Sequence, residues 1–339
     1  MVGLIIVLVF AGIAVFAPVL APVERGALDP FMMPKDKVLT LVRPIDPIPP
    51  TTNHIFGTIE QQYDLYYGCI WGTITAFRIG LTVVGISLMI GLLVGTLAGF
   101  YGGLLDETLM RFTDIIIAFP GLILAMAFVI AFPQAIQLNL SLILLGVFVL
   151  ASFIIIAFRP NKKLLLVVQV LLGLSLLSIL YYPMSLGLSL SKLDKVMISI
   201  TLVGWPGYTR VIRGEILRVK NEDYVEASRA SGSSDTGIIL RHIWPNTIYP
   251  ILIVATLDIG SIVLSAAALS FIGIGAPTGF ADWGQIIQTC RNWLITPTQI
   301  YANYHAFVIP GLFISFFVMG WNLLGDALRD ILDPTIRRK

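Results

Sequence analysis

The sequence predicts an all-α polytopic membrane protein, a helical bundle of about eight transmembrane helices. Three observations carry that prediction. Of the 339 residues, 57% are hydrophobic and only 12% charged, and the mean hydropathy is +0.88. Several apolar runs reach the roughly 20 residues a helix needs to cross a hydrocarbon core of about 30 Å. These runs are continuous, whereas a transmembrane barrel shows alternating segments of about 10 residues. The net charge of +2 says little about partners, but the lack of a Lys/Arg tract or an interleaved basic-aromatic patch argues against nucleic acid and leaves membrane lipid as the surroundings.

In chain order, the first run covers residues 1–20. It lacks the positive n-region and the small-x-small cleavage site of a signal peptide, so it is expected to stay as a span. Residues 21–70 are rich in proline and polar groups, hold nothing long enough to cross a bilayer, and are placed outside the cytoplasm. A second run, about 74–101, carries Gly91, Gly95, Gly99 and Gly103 at intervals of four, a small-xxx-small stripe suited to close helix packing in lipid. Arg78 near its outer end can snorkel to the interface. The third run, about 112–132, is interrupted at Pro120-Gly121. Residues 140–158 and 164–182 are two further apolar runs joined by the basic turn Arg159-Pro160-Asn161-Lys162-Lys163. A run at 196–212 contains Trp205-Pro206-Gly207, a kink or break. Runs at about 247–275 and 306–324 follow, then the amphipathic stretch Leu323–Pro334 and the basic tail Arg337-Arg338-Lys339.

Between the runs at 196–212 and 247–275 lies the longest polar, helix-compatible interval, residues 221–246. Asn221 suits an N-cap, with Glu222 and Asp223 placing negative charge on the first turn. Small residues Ala227, Ala230 and Ser231 share a face with Tyr224, and Gly232 suits a C-cap. Ser233-Ser234-Asp235 can start a second helix that ends at Trp244-Pro245. Two short helices with a glycine corner result. Their small-residue face would let another protein's backbone come close; a solvated loop helix is the alternative reading. Lys and Arg counts orient the chain. The segment from Arg210 to Arg241 carries six basic residues, the 159–163 turn three and the C-terminus four, against one (Arg291) in 276–305. Eight spans with both termini in the cytoplasm put every dense basic loop there.

The chain shows no catalytic constellation. Gly80-Leu81-Thr82-Val83-Val84-Gly85 runs on into Ile86-Ser87 without the phosphate-binding lysine of a P-loop. Cys69 and Cys290 make no CxxC motif and are not expected to pair. His54, His242 and His305 are scattered and read as structural, with no metal or cofactor site. Asp258 is the most informative charge. An acid at the centre of a membrane helix costs about 2.5–3.5 kcal/mol, so it must meet protein or a watery path. A helix–helix hydrogen bond and a translocation path lined by Asp258, Ser261 and Ser265 both fit. Asp282 and Trp283, with Arg291 and Trp293, read as an amphipathic segment on the outer surface.

Several strings resemble a known family. Glu226-Ala227-Ser228, then Gly232, then His242-Ile243-Trp244-Pro245-Asn246 resembles the EAA loop of ABC importer permeases, with Ser228 and Trp244 in place of the commoner Ala and Leu. Tyr101-Gly102-Gly103, Asp106, Met110-Arg111, Asp114 and Ala118-Phe119-Pro120 are similar to the second-type permease of dipeptide/oligopeptide importers. So are Val203–Arg210, Leu269–Gly275, Asp282-Trp283-Gly284 and Leu324-Gly325-Asp326 through Asp333-Pro334. The resemblance covers most of 72–132 and 196–335 and implies a permease domain over 71–335. It implies a family core of six spans, with 136–190 an inserted helical pair, and a cytoplasmic coupling helix within 221–246. Tyr224, Glu226, Ala227, Ser228, Arg229 and Gly232 would dock on the ATPase. The implied partners are a related first-type permease, two ABC ATPase subunits that bind the ATP and Mg, and an extracytoplasmic substrate-binding protein.

The function so implied is import of di- or oligopeptides, with oligosaccharides or nickel as other cargo of the family. A secondary transporter or channel, which would need paired intramembrane charges, is the remote alternative. The chain departs from the family in four ways. It has the inserted pair, an altered outer motif at Gly57–Asp64, and no basic segment ahead of the first span, which leaves room for a start upstream. It also has Ala266 where many relatives carry an acid, which weakens the case for positively charged cargo.

Overall fold

The computed structural model describes residues 1–24, 26–42, 45–133, 135–139, 185–295 and 297–332. They fall into two compact units, the larger within residues 1–131 and 192–332 and the smaller within 132–139 and 185–191. In the larger unit α1 (Val2–Leu20) is followed by an irregular segment holding the short α2 (Lys37–Val42). Then come α3 (Leu65–Tyr101), α4 (Gly103–Ile117), α5 (Gly121–Ala131), α6 (Lys192–Val219), α7 (Asp223–Ala230) and α8 (Asp235–Ile238). A single π turn, Ile239–Ile243, leads into α9 (Trp244–Ile272). The chain continues through α10 (Trp283–Thr289) and α11 (Pro297–Asn303) to α12 (His305–Leu332).

Among the described residues four helices are long and apolar enough to cross a membrane, or five if α4 and α5, bent by 88° at their break, count as one span. This is a multi-pass membrane bundle. At 28 residues, α6 spans about 42 Å but carries charges toward both ends. The expected pair at 140–158 and 164–182, and with it the count of eight, lies outside the described residues. Within the smaller unit, the ends of the proposed insertion are not helical. Residues β1 (Ala135–Asn139) and β2 (Ser185–Ser189) pair antiparallel, Ala135 opposite Ser189 and Asn139 opposite Ser185. The period-two alternation in Ile136-Gln137-Leu138-Asn139 and Leu186-Gly187-Leu188-Ser189 suits a ribbon, and these strands flank the two apolar runs expected to be helical, 140–158 and 164–182.

The expected second run starts earlier than its hydropathy. α3 begins at Leu65, where Asp64 caps it by accepting the Tyr67 N–H at 2.8 Å. Its first turns are aromatic and pack on the irregular segment, with Phe31 edge-on to Trp71. The glycine stripe faces α6, the helix on which α3 packs most extensively. A Cβ added at Gly91 would lie 2.5 Å from Tyr208 Cβ, one at Gly95 2.9 Å from the Thr209 carbonyl, and one at Gly99 3.0 Å from Ile216. Gly103 is not part of this contact; it lies beyond the helix end. α6 continues through Pro206 as one helix. Arg78 does not snorkel freely but pairs with Asp194 at the start of α6 at 3.1 Å.

At the opposite end of α3 from the glycines, Asp282 and Trp283 are buried, not surface groups. Asp282 caps α10 through the Gln285 N–H at 2.8 Å. Trp283 donates its indole N–H to the Cys69 carbonyl at 3.1 Å and sits among Phe10, Phe313 and Phe317. Gly72 makes room for the indole, so the tryptophan is a packing centre. Cys69 and Cys290 are both buried and unpaired.

The irregular segment is held by a charged cluster. His54 bonds Asp64 through Nδ1 at 2.7 Å and Asp36 through Nε2 at 3.1 Å. Burial alone would push the His54 imidazole down, but the two carboxylates raise it above the ordinary value of 6.5. The Leu39 amide, then His54, hold Asp36 below its usual 3.8.

Gly95→Leu should force α3 and α6 apart and destabilise the detergent-solubilised protein by about 1–3 kcal/mol. Gly85→Leu, at a position with open space around it, should leave the thermal midpoint unchanged. The histidine cluster gives a pH dependence with a definite sign. The raised imidazole stabilises the segment fully below 6.5, and that contribution is lost as pH rises through its folded value. The lowered Asp36 contributes above 3.8, and its share is lost as pH falls through its folded value. Hydrogen-exchange protection over residues 45–64, taken relative to the intrinsic exchange rate at each pH, should therefore be higher in mildly acidic buffer than at alkaline pH, and His54→Gln should abolish that difference.

Candidate functional site: the helical elbow and the polar node beside it

The elbow after α6 is built differently from its sequence expectation. Asn221 is not the N-cap: its amide donates to the Leu217 carbonyl at 3.1 Å, satisfying an end carbonyl of α6. Glu222 takes the cap position, with no capping hydrogen bond from its side chain. α7 closes as expected at Gly232, whose φ of +81° is the left-handed conformation that suits glycine. The Ser233 N–H reaches the Ser228 carbonyl at 3.2 Å and the Gly232 N–H the Arg229 carbonyl at 3.0 Å, which is a Schellman closure. The second short helix does not end at Trp244-Pro245. Ser234 caps α8 through the Gly237 N–H at 3.3 Å, and helical structure continues to Ile272. Pro245 has no N–H to close an α bond, and the π turn just before it widens the ladder so that the helix passes through.

α7 buries one side chain, Val225. Tyr224, Glu226, Ala227, Arg229 and Gly232 are exposed and Ser228 is half-buried. The Tyr224 ring lies 6.3 Å from His242. Three contacts clip the elbow to the end of α3. Lys220 Nζ donates to the Gly99 carbonyl at 2.8 Å, the Trp244 indole N–H donates to Thr96 Oγ1 at 3.0 Å, and the Arg229 guanidinium lies 5.9 Å from the Phe100 ring centre. The result is a short polar helix held by its neighbours while most of its own surface stays free.

Asp258 lies on α9 and is half-buried. Tyr208 Oη of α6 donates to its Oδ2 at 2.8 Å, and Ser261 Oγ donates to its Oδ1 at 2.7 Å. The interhelical hydrogen bond left open by the sequence is therefore present. Ser261 is exposed, and Ser265, one turn on, donates back to the Ser261 carbonyl at 2.8 Å. The three residues share one stripe of α9, and Tyr208 also sits where Gly91 lets α3 approach. One residue thus joins the glycine contact to the polar stripe.

Sequence reasoning missed the charge pairing beside the elbow. Asp106 of α4 takes a bidentate hold on Arg213, at 2.5 and 2.6 Å, and Asp114 pairs with Arg210 at 2.6 Å. Each residue stood out as part of a string, or in the basic count, but nothing in a linear chain matches partners 107 and 96 positions apart.

Asp258→Leu should leave the buried Tyr208 hydroxyl without its partner, at a cost of about 1–3 kcal/mol. Asp258→Asn retains an acceptor and should lower the thermal midpoint by less.

Comparison with known proteins agrees with this architecture. Residues 91–338 match the family described as binding-protein-dependent transport system inner membrane component. The probable D,D-dipeptide transport system permease protein of Escherichia coli is 33% identical over 287 residues, covering 85% of this chain and 75% of its own length. The dipeptide transport system permease protein of Alkalihalophilus pseudofirmus is 28% identical over 99% of this chain and 86% of its own. The oligopeptide transport system permease protein of Bacillus subtilis is 27% identical over 100% and 86%. With the family match spanning well over half of the chain, this protein belongs to the binding-protein-dependent transport system inner membrane components, the membrane-embedded permease subunits of multi-subunit ABC transporters.

Proposed function

We propose that this chain is a transmembrane permease subunit of an ATP-driven importer that moves di- or oligopeptides into the cytoplasm. The observation that carries the reading is the elbow: an exposed eight-residue helix, closed at Gly232 and clipped to the end of α3. A helix so held transmits a push to the spans on either side of it. The docking surface is Tyr224, Glu226, Ala227, Ser228, Arg229 and Gly232. The names of the relatives, which are dipeptide, oligopeptide and D,D-dipeptide permeases, support peptide as cargo.

In this reading the elbow lies in the cytoplasm, with both termini on the same side, as the Lys/Arg distribution requires. Two ABC ATPase subunits bind ATP and Mg and close on hydrolysis-linked cycles. A related first-type permease completes the membrane path, and an extracytoplasmic binding protein delivers cargo. The stripe Asp258, Ser261 and Ser265 lines the path, where hydroxyls and a carboxylate on an exposed helix face offer donors and acceptors to a peptide backbone. Switching between outward and inward access is then a population shift between two arrangements of the same packed helices, biased by the ATPase.

The test is a variant carrying Glu226→Arg and Gly232→Val in the assembled transporter. Membrane insertion should be intact, co-purification of the ATPase should fall about ten-fold or more, and uptake of labelled peptide into proteoliposomes should be lost. Unimpaired uptake would sink the reading.

A further inference from the structure

The geometry points to Asp106, Asp114, Arg210 and Arg213 as positioning residues that make the bent pair α4–α5 move with the coupling helix. This rests on the function proposed above. α4 is bounded by two breaks. On one side Gly102 and Gly103 both adopt positive φ, +69° and +60°, and end the ladder of α3. On the other, Pro120 turns the chain by 88° into α5. Helical continuity therefore carries little force into α4 from either end.

Burial does not hold α4 either, since Thr113 is its one buried residue. What ties it down lies on α6. Phe112 stacks on Trp205 with ring centres 6.0 Å apart, and the two ion pairs follow toward the elbow. The two aspartates are eight residues apart, about 12 Å along α4, so two separated points of attachment resist both sliding and rotation. The Asp106 pair is the stronger, being bidentate and largely shielded: Asp106 is 17% exposed and Arg213 32%, against 59% and 48% for Asp114 and Arg210. α6 is joined to α7 by the three-residue turn Lys220–Glu222, which Lys220 holds to the Gly99 carbonyl. A displacement of α7 reaches α6 through the chain and reaches α4 through these charges. α5, apolar and with Leu122, Ile123 and Ile130 exposed, packs directly on α6, where a Cβ added at Gly121 would lie 3.4 Å from Val203, so it follows the same helix without relying on the bend.

Breaking the pairs should leave hydrolysis and lose its connection to transport. In the reconstituted complex, Asp106→Asn and Arg213→Gln should each lower peptide moved per ATP hydrolysed by about five-fold or more, with ATPase association and activity retained. The charge swap Asp106→Arg with Arg213→Asp should restore most of that ratio. A second route avoids dependence on charge. Cysteines at 106 and 213, with Cys69 and Cys290 replaced by Ser, should be uncoupled until joined by a short bifunctional thiol reagent, which should recover transport. A ratio unchanged in both single variants, a swap as uncoupled as either, or a cross-link that stops transport would each overturn the proposal. Failure of the unaltered chain to bind an ATPase at all would instead remove the function on which it rests.

Discussion

Backbone approach between α3 and α6 is the constraint on which the remaining contacts depend. In lipid, two apolar helices gain nothing from leaving water, so what holds them together is close packing and the polar groups that this packing aligns. Gly91, Gly95 and Gly99 remove the side chains that would stand between the helices, and α6 settles with Tyr208, Thr209, Ile212 and Ile216 in the space left. That placement brings Tyr208 Oη to Asp258 on α9 and puts Arg210 and Arg213 within reach of α4. It also delivers the end of α6 beside the end of α3, where Lys220 finds the Gly99 carbonyl.

The two ends of the bundle are held by different forces. Away from the elbow, Trp283 interlocks with Phe10, Phe313 and Phe317, drawing α1, α3, α10 and α12 onto one apolar block. Aromatic contacts of this kind gain from area and edge-to-face geometry and need no water to be exchanged. Near the elbow the links are ion pairs, single hydrogen bonds and a ring–guanidinium contact, many of them partly exposed. The exposed ones, such as Asp114–Arg210, break and reform at small net cost because water replaces the lost partner, whereas the shielded, bidentate Asp106–Arg213 pair holds. A bundle firm at one end and held by exchangeable polar contacts at the other is suited to work applied at the polar end.

Much of this was legible in the linear chain where a local rule acts alone. Glycines four apart announced a packing face, and Gly232 announced a helix end, because φ near +80° suits glycine. Hydropathy located the four long apolar helices among the described residues. Boundaries were less legible wherever a neighbour extends or redirects an element. α3 starts at Leu65 because aromatic residues outside the apolar run pack on the segment before it. Asn221 caps a carbonyl of the preceding helix, having been expected to open the next. Trp283 looked like an interfacial anchor since tryptophan and aspartate together fit a membrane surface; the space above Gly72 and the fold of α10 put both inside.

The sequence by itself determined that this is a helical membrane protein with a polar elbow between spans and a glycine face on one of them. Those properties follow from composition, period and the conformational preferences of single residues, each readable within a few positions; membership of the permease family rests instead on the resemblance of whole strings. Only the tertiary structure decided which charges meet. The pairing of Asp106 with Arg213, of Asp114 with Arg210, and of Tyr208 with Asp258 depends on how three helices far apart in the chain are brought side by side. Electrostatic and hydrogen-bond partners are chosen by distance in space, and no local pattern encodes that distance.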